Sequence, residues 1–402
     1  MQRLRFKTDD GSQFPDWKEK KIGDLFYKVN ERNNGQFGKD KWISVAKMYY
    51  QDEDKVTSNN IDTRTYVMRI GDMAFEGHPN KEFKYGRFVV NDIGDGIISE
   101  LFPIYRHKGE YVLKYWKYAI QIDTIMQKIY RKAITSSGAS SNKLDNNDFE
   151  NQSIPVPCLE EQQKIAEFLS TVDTVIEKQK ETVSAWGERK KGVMQKLFSQ
   201  EVRFKADDGS EFPDWEEKKL GDVFEISSET NGNKYDKQQV MSVSDEYGVV
   251  NQIELQGRSF AGNDISKYKI VKTGQIVYTR SPLATKPYGI IKLVGDETGI
   301  VSPLYIVNTV CDNNSPLFWY YYFDTPERTN NYLKPLVRMG AKHTMNISNE
   351  EWLSGKILAP CHAEQRKIAD CLSALDDVIE KQKATLAAWE EMKKGLLQQM
   401  FV

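Results

Sequence analysis

The sequence has almost nothing with which to staple, span a bilayer or cut. Its four cysteines, Cys158, Cys311, Cys361 and Cys371, include no Cys-x-x-Cys pair and are too sparse for a disulfide framework. The four histidines are scattered too thinly for a metal cluster. No run approaches the roughly 18 apolar residues that a membrane span requires. The N-terminal stretch MQRLRFKTDDGSQF lacks the apolar core of a signal peptide. The cytoplasm is therefore the expected compartment, with no membrane partner. A P-loop, a GxGxxG after a strand, HExxH and GxSxG are all missing, as is the Asn/Asp-Pro-Pro-Tyr/Phe loop of methyltransferases. No catalytic residue, metal ligand or cofactor is expected in the chain.

A basic excess is missing too. Lysine and arginine number 56 against 58 aspartates and glutamates, giving a formal charge of -2 and a pI near 6.2. A protein that grips DNA alone usually carries surplus positive charge, because phosphate neutralisation supplies much of its affinity. Either this chain does not bind nucleic acid, or it binds within a complex whose partners bring the charge. With 28% charged residues over 402 positions, it has room for two ordinary domains plus connecting elements.

What is present is a tandem repeat. Arg3–Phe26 (RLRFKTDDGSQFPDWKEKKIGDLF) returns as Glu201–Phe224 (EVRFKADDGSEFPDWEEKKLGDVF), with 17 of 24 positions identical at an offset of 198. Cys158–Phe198 returns as Cys361–Phe401, with 24 of 41 identical at an offset of 203. Between these anchors, blocks of about 130 residues share little identity. The expected segments are 1–157, 158–200, 201–360 and 361–402: block, long helix, block, long helix.

The repeated C-terminal segments read as helices. Each follows prolines (Pro155 and Pro157; Pro360), opens with acids and ends near lysine pairs (Lys190 and Lys191; Lys393 and Lys394), in keeping with the helix dipole. Ile165, Leu169, Val172, Ile176, Gln179, Val183, Trp186, Lys190, Val193 and Leu197 keep a 4-3 spacing, and Ile368 to Met400 repeats it. The seam is broken at the same places by Gln179/Gln382 and Lys190/Lys393. About 40 residues make a rod of roughly 60 Å. Two equal seams in one chain should pair, antiparallel if the blocks lie at opposite ends. A parallel pair, or helices that pack only on their own blocks, are the alternatives.

Inside the blocks, WISVAKMYY, TYVMRIGDMAFEG, YGRFVVND and GIISELFPIYR look like strands, and EYVLKYWKYAIQIDTIMQKIYRKA looks helical. The second block keeps the order: QVMSVSDEYGVV, KYKIVKTGQIVYTRS, YGIIKLVGDETGIVSPLYIVN, LFWYYYFDTPERTNNYL. GDMAFEG corresponds to GQIVYTR, and DGIISELFPIYR to TGIVSPLYIVN. The fold class expected is α+β: two pseudo-symmetric mixed α/β domains separated by two long helices that form an antiparallel coiled coil. One fold with altered loops suits a module whose copies read different things.

Pro15-Asp16 with Glu19-Lys20-Lys21, repeated at Pro213-Asp214 with Glu217-Lys218-Lys219, superficially spells a metal nuclease motif. The carboxylates lie only three residues apart, so it is read as a turn in which Trp17 and Trp215 pack on the domain. The loops before the helices, Ser136–Leu144 and Met339–Ile347, carry small residues that allow close approach and donors for phosphates and base edges. The candidate DNA-binding residues are Ser137, Ser140, Asn142, Lys143, Lys342, His343 and Thr344 from these loops. Basic and aromatic clusters add Lys47, Tyr49, Tyr50, His78, Lys81, Lys84, Tyr247, Arg280 and Lys286, with Arg87 and Tyr288 beside them.

The order FPDW-x-E-K-K-[IL]-G-D-[LV]-F, variable block, polar loop, [IL]-x-x-P-C-x-x-E-Q-x-K-I-A and long helix, all duplicated, resembles the specificity subunits of type I restriction–modification systems. The likeness covers essentially the whole chain. It implies that each block is a target recognition domain reading one half of a bipartite site in double-stranded DNA. It also implies that the helices set the gap and dock two methyltransferase subunits, with restriction subunits joining the same assembly. S-adenosylmethionine and ATP chemistry would then belong to the partners, and the near-neutral charge would suit a reader clamped by them. The differing blocks imply an asymmetric target. Half-sites read from one face of B-DNA lie about one turn, roughly 34 Å, apart, so the blocks should lean inward along a longer rod. Two other readings stay open: a two-headed coiled-coil scaffold that binds proteins or sugars rather than DNA, and an enzyme acting inside the variable blocks.

Overall fold

The computed structural model describes residues 4–80, 83–136, 141–280, 283, 286–339 and 345–401. Two compact units emerge. The first is Met1–Glu181 with Lys383–Val402, and the second is Thr182–Gln382. Each contains a variable block, half of its own long helix and half of the other.

The first unit is built on a four-stranded antiparallel sheet in the order Phe26–Val29, Ile104–His107, Met73–Glu76, Arg87–Val90. Alternation along Met73–Glu76 sends Met73 and Phe75 to one face and Ala74 to the other. All four residues are buried, so both faces are covered. The Phe75 face meets Tyr105, Phe88, Tyr130 and Phe149, with Phe88 stacked on Phe149 at 4.8 Å. The Ala74 face is closed by Ile43, Val45, Met68 and Ile98. WISVAKMYY is not one strand but a hairpin, Ile43–Ser44 against Tyr49–Tyr50. TYVMRIGDMAFEG likewise divides into Thr65–Met68 and Met73–Glu76, because Gly71 adopts a positive φ of 86° that turns the chain between them.

The second unit repeats the topology with Phe224–Ile226, Ile306–Val310, Ile276–Tyr278 and Ile291–Leu293. Tyr278 takes the place of Phe75 and stacks on Trp352 at 4.7 Å. Its faces are closed by the aromatic set Phe318, Trp319 and Phe323 and by a valine set that includes Val271, Val277 and Val307. The single helix expected over EYVLKYWKYAIQIDTIMQKIYRKA is two, Leu113–Ala119 and Asp123–Ala133. The second copy shows why. The equivalent of Asp123 is Pro326, which starts the second helix of the pair Pro316–Asp324 and Pro326–Leu333. Proline fits a first turn but cannot continue a helix.

The long helices run Leu159–Phe198 and His362–Phe401. In the first unit, Asp173 meets Lys393 at 2.5 Å and Lys180 meets Glu390 at 3.9 Å, so one number rises as the other falls and the segments are antiparallel. The core there takes both Ile165 and Leu169 from the first helix and Met400 and Phe401 from the end of the second. In the second unit, Ile368 and Leu372 share a core with Met194, Leu197 and Phe198. Each helix thus packs on its own block and on its partner helix. Each fully buried aliphatic side chain contributes about 1.5–3 kcal/mol.

The lysines that interrupt the heptads have an internal role. Lys393 pairs with Asp173, whose other oxygen accepts from the Tyr118 hydroxyl at 2.7 Å. In the second unit, Lys190 pairs with Asp376 at 2.6 Å, and Asp376 accepts from Tyr321 at 2.7 Å. The same lysine–aspartate–tyrosine chain therefore ties helix to block in each unit.

Candidate nucleic-acid interface

The most strongly repeated residues form the joint between block and helix. Glu161, fully buried, accepts from Arg5 Nε at 3.1 Å, Arg5 Nη2 at 2.8 Å and Trp17 Nε1 at 3.0 Å. Arg5 also donates to the carbonyls of Phe14 and Pro15. In the second unit, Glu364 accepts from Arg203 at 3.0 and 2.8 Å and from Trp215 at 3.2 Å, and Arg203 reaches the carbonyls of Phe212 and Pro213. The neighbouring glutamines, Gln162 and Gln365, each donate to the carbonyl of a proline at 3.1 Å. A buried carboxylate needs such a set of donors. The hydrogen bonds that Glu161 and Glu364 accept raise the pKa of their arginines. The Phe-Pro-Asp-Trp and Glu-Gln motifs are thus two sides of one lock. The carboxylates of Asp16 and Asp214 point fully into solvent beside it. Among the described residues no group of three or more His, Cys, Asp or Glu side chains could hold a metal ion.

The variable loops collect at one end of each sheet. In the first unit, Met73–Glu76 ends beside the turn that leads into Ile104–His107, with Phe75 N donating to Pro103 O at 3.0 Å. His78 stands just beyond that strand. Its backbone N and its Nδ1 bond the buried Glu76 carboxylate at 3.1 and 2.8 Å, and its exposed ring meets Phe102. The pre-helix loop arrives at the same place, where Asn142 N donates to Gly77 O at 2.8 Å and Asn142 Nδ2 to Lys84 O at 3.3 Å. A side chain at Gly77 would run into the Asn142 carbonyl oxygen, so glycine permits this approach. Lys84 and Lys143 extend into solvent there. The Arg87 guanidinium, across from Glu76 in the ladder, donates to Ala46 O and so brings in the hairpin tip with exposed Lys47 and Tyr49. Tyr50 is different. Its hydroxyl donates to Asp95 O at 3.0 Å, Lys41 lies over its ring, and burial raises its pKa. His78, Lys84, Asn142, Lys143, Lys47 and Tyr49 are thus brought together, with Tyr50 supporting the hairpin from behind. Lys81, Ser137 and Ser140 lie outside the described residues.

The second unit gathers the corresponding loops with different chemistry. Arg280 follows the strand Ile276–Tyr278, as Gly77 follows Phe75–Glu76. Nearby Lys269 donates to Tyr305 O at 2.6 Å, and burial, with Arg280 adding, lowers its pKa. Tyr247 stands exposed at the tip of the hairpin Met241–Ser244/Gly248–Asn251. Lys286 does not join this surface. It is only 3% exposed, and its ammonium sits 2.5 Å from Asp245 and 3.7 Å from Asp324. Lys292 bridges the same two acids at 3.3 and 2.7 Å. Burial pushes the Asp245 carboxyl up, but the two ammonium groups outweigh it and leave its pKa below the ordinary value. Lys286 is therefore an internal clamp on the hairpin rather than a free donor. In the first unit, Val89 and Gln121 occupy the equivalent positions of Lys292 and Asp324. There they line an open cavity of about 240 Å³ together with Lys47 and Arg87. Lys342, His343 and Thr344 lie outside the described residues. Arg338, beside them, is exposed and paired with Glu351 at 3.1 Å. Its nearness to the Gly340 loop was the only sequence signal for it.

The first sheet end offers lysine, histidine, amide and aromatic groups, and the second arginine and aromatic groups. Such a surface can hold a polyanion and sample base edges, and the two copies differ in the groups presented. Sequence reasoning passed over Leu101 and Leu304, which stand on matching turns at these ends. Their signal is the same residue at an offset of 203 inside the diverged blocks.

A duplicated loop platform, each copy locked to a long helix, defines a protein with two recognition modules. The chain belongs to the family of the type I restriction modification DNA specificity domain, whose model matches residues 15–183 and again 213–388. It is similar to two proteins of Methanocaldococcus jannaschii. One, provisionally named the type I restriction enzyme MjaX specificity subunit, is 25% identical over 97% of this chain and 94% of its own length. The other, the type I restriction enzyme MjaVIII specificity subunit, is 28% identical over 65% of this chain and 64% of its own. In fold it is similar to the type I restriction-modification system S subunit from M. genitalium, with a TM-score of 0.52, 14% identity and coverage of 100% and 99%. A chain from a study of complex assembly and conformational transition of the type I R-M system gives a TM-score of 0.54 at 17% identity, covering 97% and 98%.

Proposed function

We propose that this chain is the DNA-specificity subunit of a type I restriction–modification complex, in which each unit reads one half of an asymmetric bipartite target. The observation that carries this is the sheet end itself: one framework in both units, with His78, Lys84 and Asn142 on one and the half-buried Arg280 and exposed Tyr247 on the other. Different groups on one frame suit two different half-sites. In this reading, methyl transfer and DNA cleavage belong to partner subunits: two methyltransferase subunits docked along the helices, and restriction subunits in the full assembly. The formal charge of -2 fits a reader whose partners supply most phosphate contacts. The long helices set the spacer between half-sites, and the assembly works in the cytoplasm, where the DNA is. A scaffold that ignores DNA is not favoured by the family match.

The test is methylation-sensitive sequencing of a host that carries this chain with its methyltransferase partner. A bipartite motif with unlike halves is expected. A continuous or palindromic motif, or no motif, would overturn the two-reader proposal.

A further inference from the structure

We infer that Leu101 and Leu304 make an apolar, sequence-tolerant contact with the DNA duplex, the same contact at both half-sites. The inference rests on the recognition reading above and adds to it a pair of residues. The stretch Gly96-Ile97-Ile98-Ser99-Glu100-Leu101-Phe102 corresponds to Gly299-Ile300-Val301-Ser302-Pro303-Leu304-Tyr305 within blocks that otherwise diverge. Nearly every shared residue in it has an internal job. A side chain at Gly96 or Gly299 would run into the carbonyl of Lys41 or Gln239. Ile97, Ile98, Ile300 and Val301 are completely buried. The hydroxyls of Ser99 and Ser302 accept from the backbone N of Leu101 and Leu304, both at 3.3 Å. Phe102 and Tyr305 turn inward onto the core, and each closes its turn with a 3.1 Å bond to the serine carbonyl.

Among the described residues, the two leucine side chains belong to none of the buried cores. Leu101 is 82% exposed and Leu304 69%. The same apolar side chain is held outward on the same turn in both units, and an external contact common to both accounts for it.

Position and charge identify the occupant as DNA. Phe102, next to Leu101, touches the ring of His78 on the reading loop. Tyr305, next to Leu304, accepts from Lys269 beside Arg280. The one acid adjoining Leu101, Glu100, is neutralised by Arg32 at 2.6 Å and so does not repel phosphate. Both leucines therefore stand among the groups that would meet the duplex. An apolar side chain there can wedge against a base step. Such a contact requires no particular half-site sequence, which suits a residue kept in both blocks while the rest of them diverges.

The experiment uses the full chain assembled with its methyltransferase partner and the target duplex. Leu101→Ala and Leu304→Ala are each expected to weaken binding about tenfold, or about 1.4 kcal/mol. The slope of log K against log salt should stay unchanged, because losing an apolar contact releases no counterions. Losing one lysine–phosphate contact instead lowers that slope by about one. Leu101→Met should retain most of the affinity. Leucine variants that assemble and bind like the wild type would overturn the inference alone. Variants that fail to assemble would assign the leucines to the methyltransferase interface and overturn it equally. A wild-type complex with no preference for any duplex would remove the recognition reading and this inference together.

Discussion

Removing one side of the block–helix lock should have unequal consequences depending on which side is removed. Glu161 is fully buried and relies on Arg5 and Trp17 for its donors, whereas Arg5 keeps 19% of its side chain exposed and also holds Asp16 and two backbone carbonyls. Arg5→Met strands a carboxylate with the indole N–H as its one remaining donor in the lock. Breaking a buried ion pair in this way costs about 3–5 kcal/mol, and the partial exposure of Arg5 points to the lower end, about 3 kcal/mol. Glu161→Gln leaves a neutral acceptor for the indole and an arginine with other partners, so its cost should be about 1–2 kcal/mol. In the second unit, Arg203→Met should exceed Glu364→Gln by a similar margin. The assay is urea unfolding of the full chain, completed as a double-mutant cycle with Arg5→Met/Glu161→Gln. The pair should be strongly non-additive, because once Glu161 is neutral the loss of Arg5 strands no charge. Equal losses for the two single variants, or additivity in the cycle, would refute the reasoning.

Other outcomes follow from the same geometry. Lys292→Met leaves Asp245 and Asp324 with Lys286 as their one clamp and should destabilise the second unit by about 2–3 kcal/mol in thermal or urea unfolding; Val89→Ala, at the equivalent cavity-lining position, should cost about 1 kcal/mol. Tyr105, Tyr130, Tyr278 and Tyr332 are all held above the ordinary phenol value by burial. Raised folded-state values mean a contribution that is intact below the unfolded-state value of about 10 and lost as pH rises above it. The urea midpoint should therefore drop steeply above pH 10, and less steeply in Tyr105→Phe/Tyr278→Phe. Deleting about four residues, one helical turn, from the middle of each long helix should shorten the spacer in the methylated motif; an unchanged spacer would show that the helices do not set it.

Much of the architecture could be read from the residues, because duplication exposes it. The two copies align the joint, the helices and the strand order without any structure. Local breaks were harder: the helix interruption before Asp123 has no proline to mark it, and only Pro326 in the second copy betrays it. Lys190 and Lys393 look like defects in a heptad, since their aspartate and tyrosine partners are distant in sequence. Among candidate DNA contacts, residue type pointed to the loops but could not report burial. Lys286 and Lys84 are equally basic on paper, yet one is clamped between two acids and the other stands in solvent. Leu101 and Leu304 become visible only when the shared residues around them have been given internal tasks and the two leucine side chains stand exposed.

The most direct test exchanges the block around residues 16–157 for that of another family member and maps methylation in a host that supplies the methyltransferase partner. One half of the methylated sequence should change while the other half stays the same. A change in both halves, or in neither, would contradict the assignment of one reader to each unit.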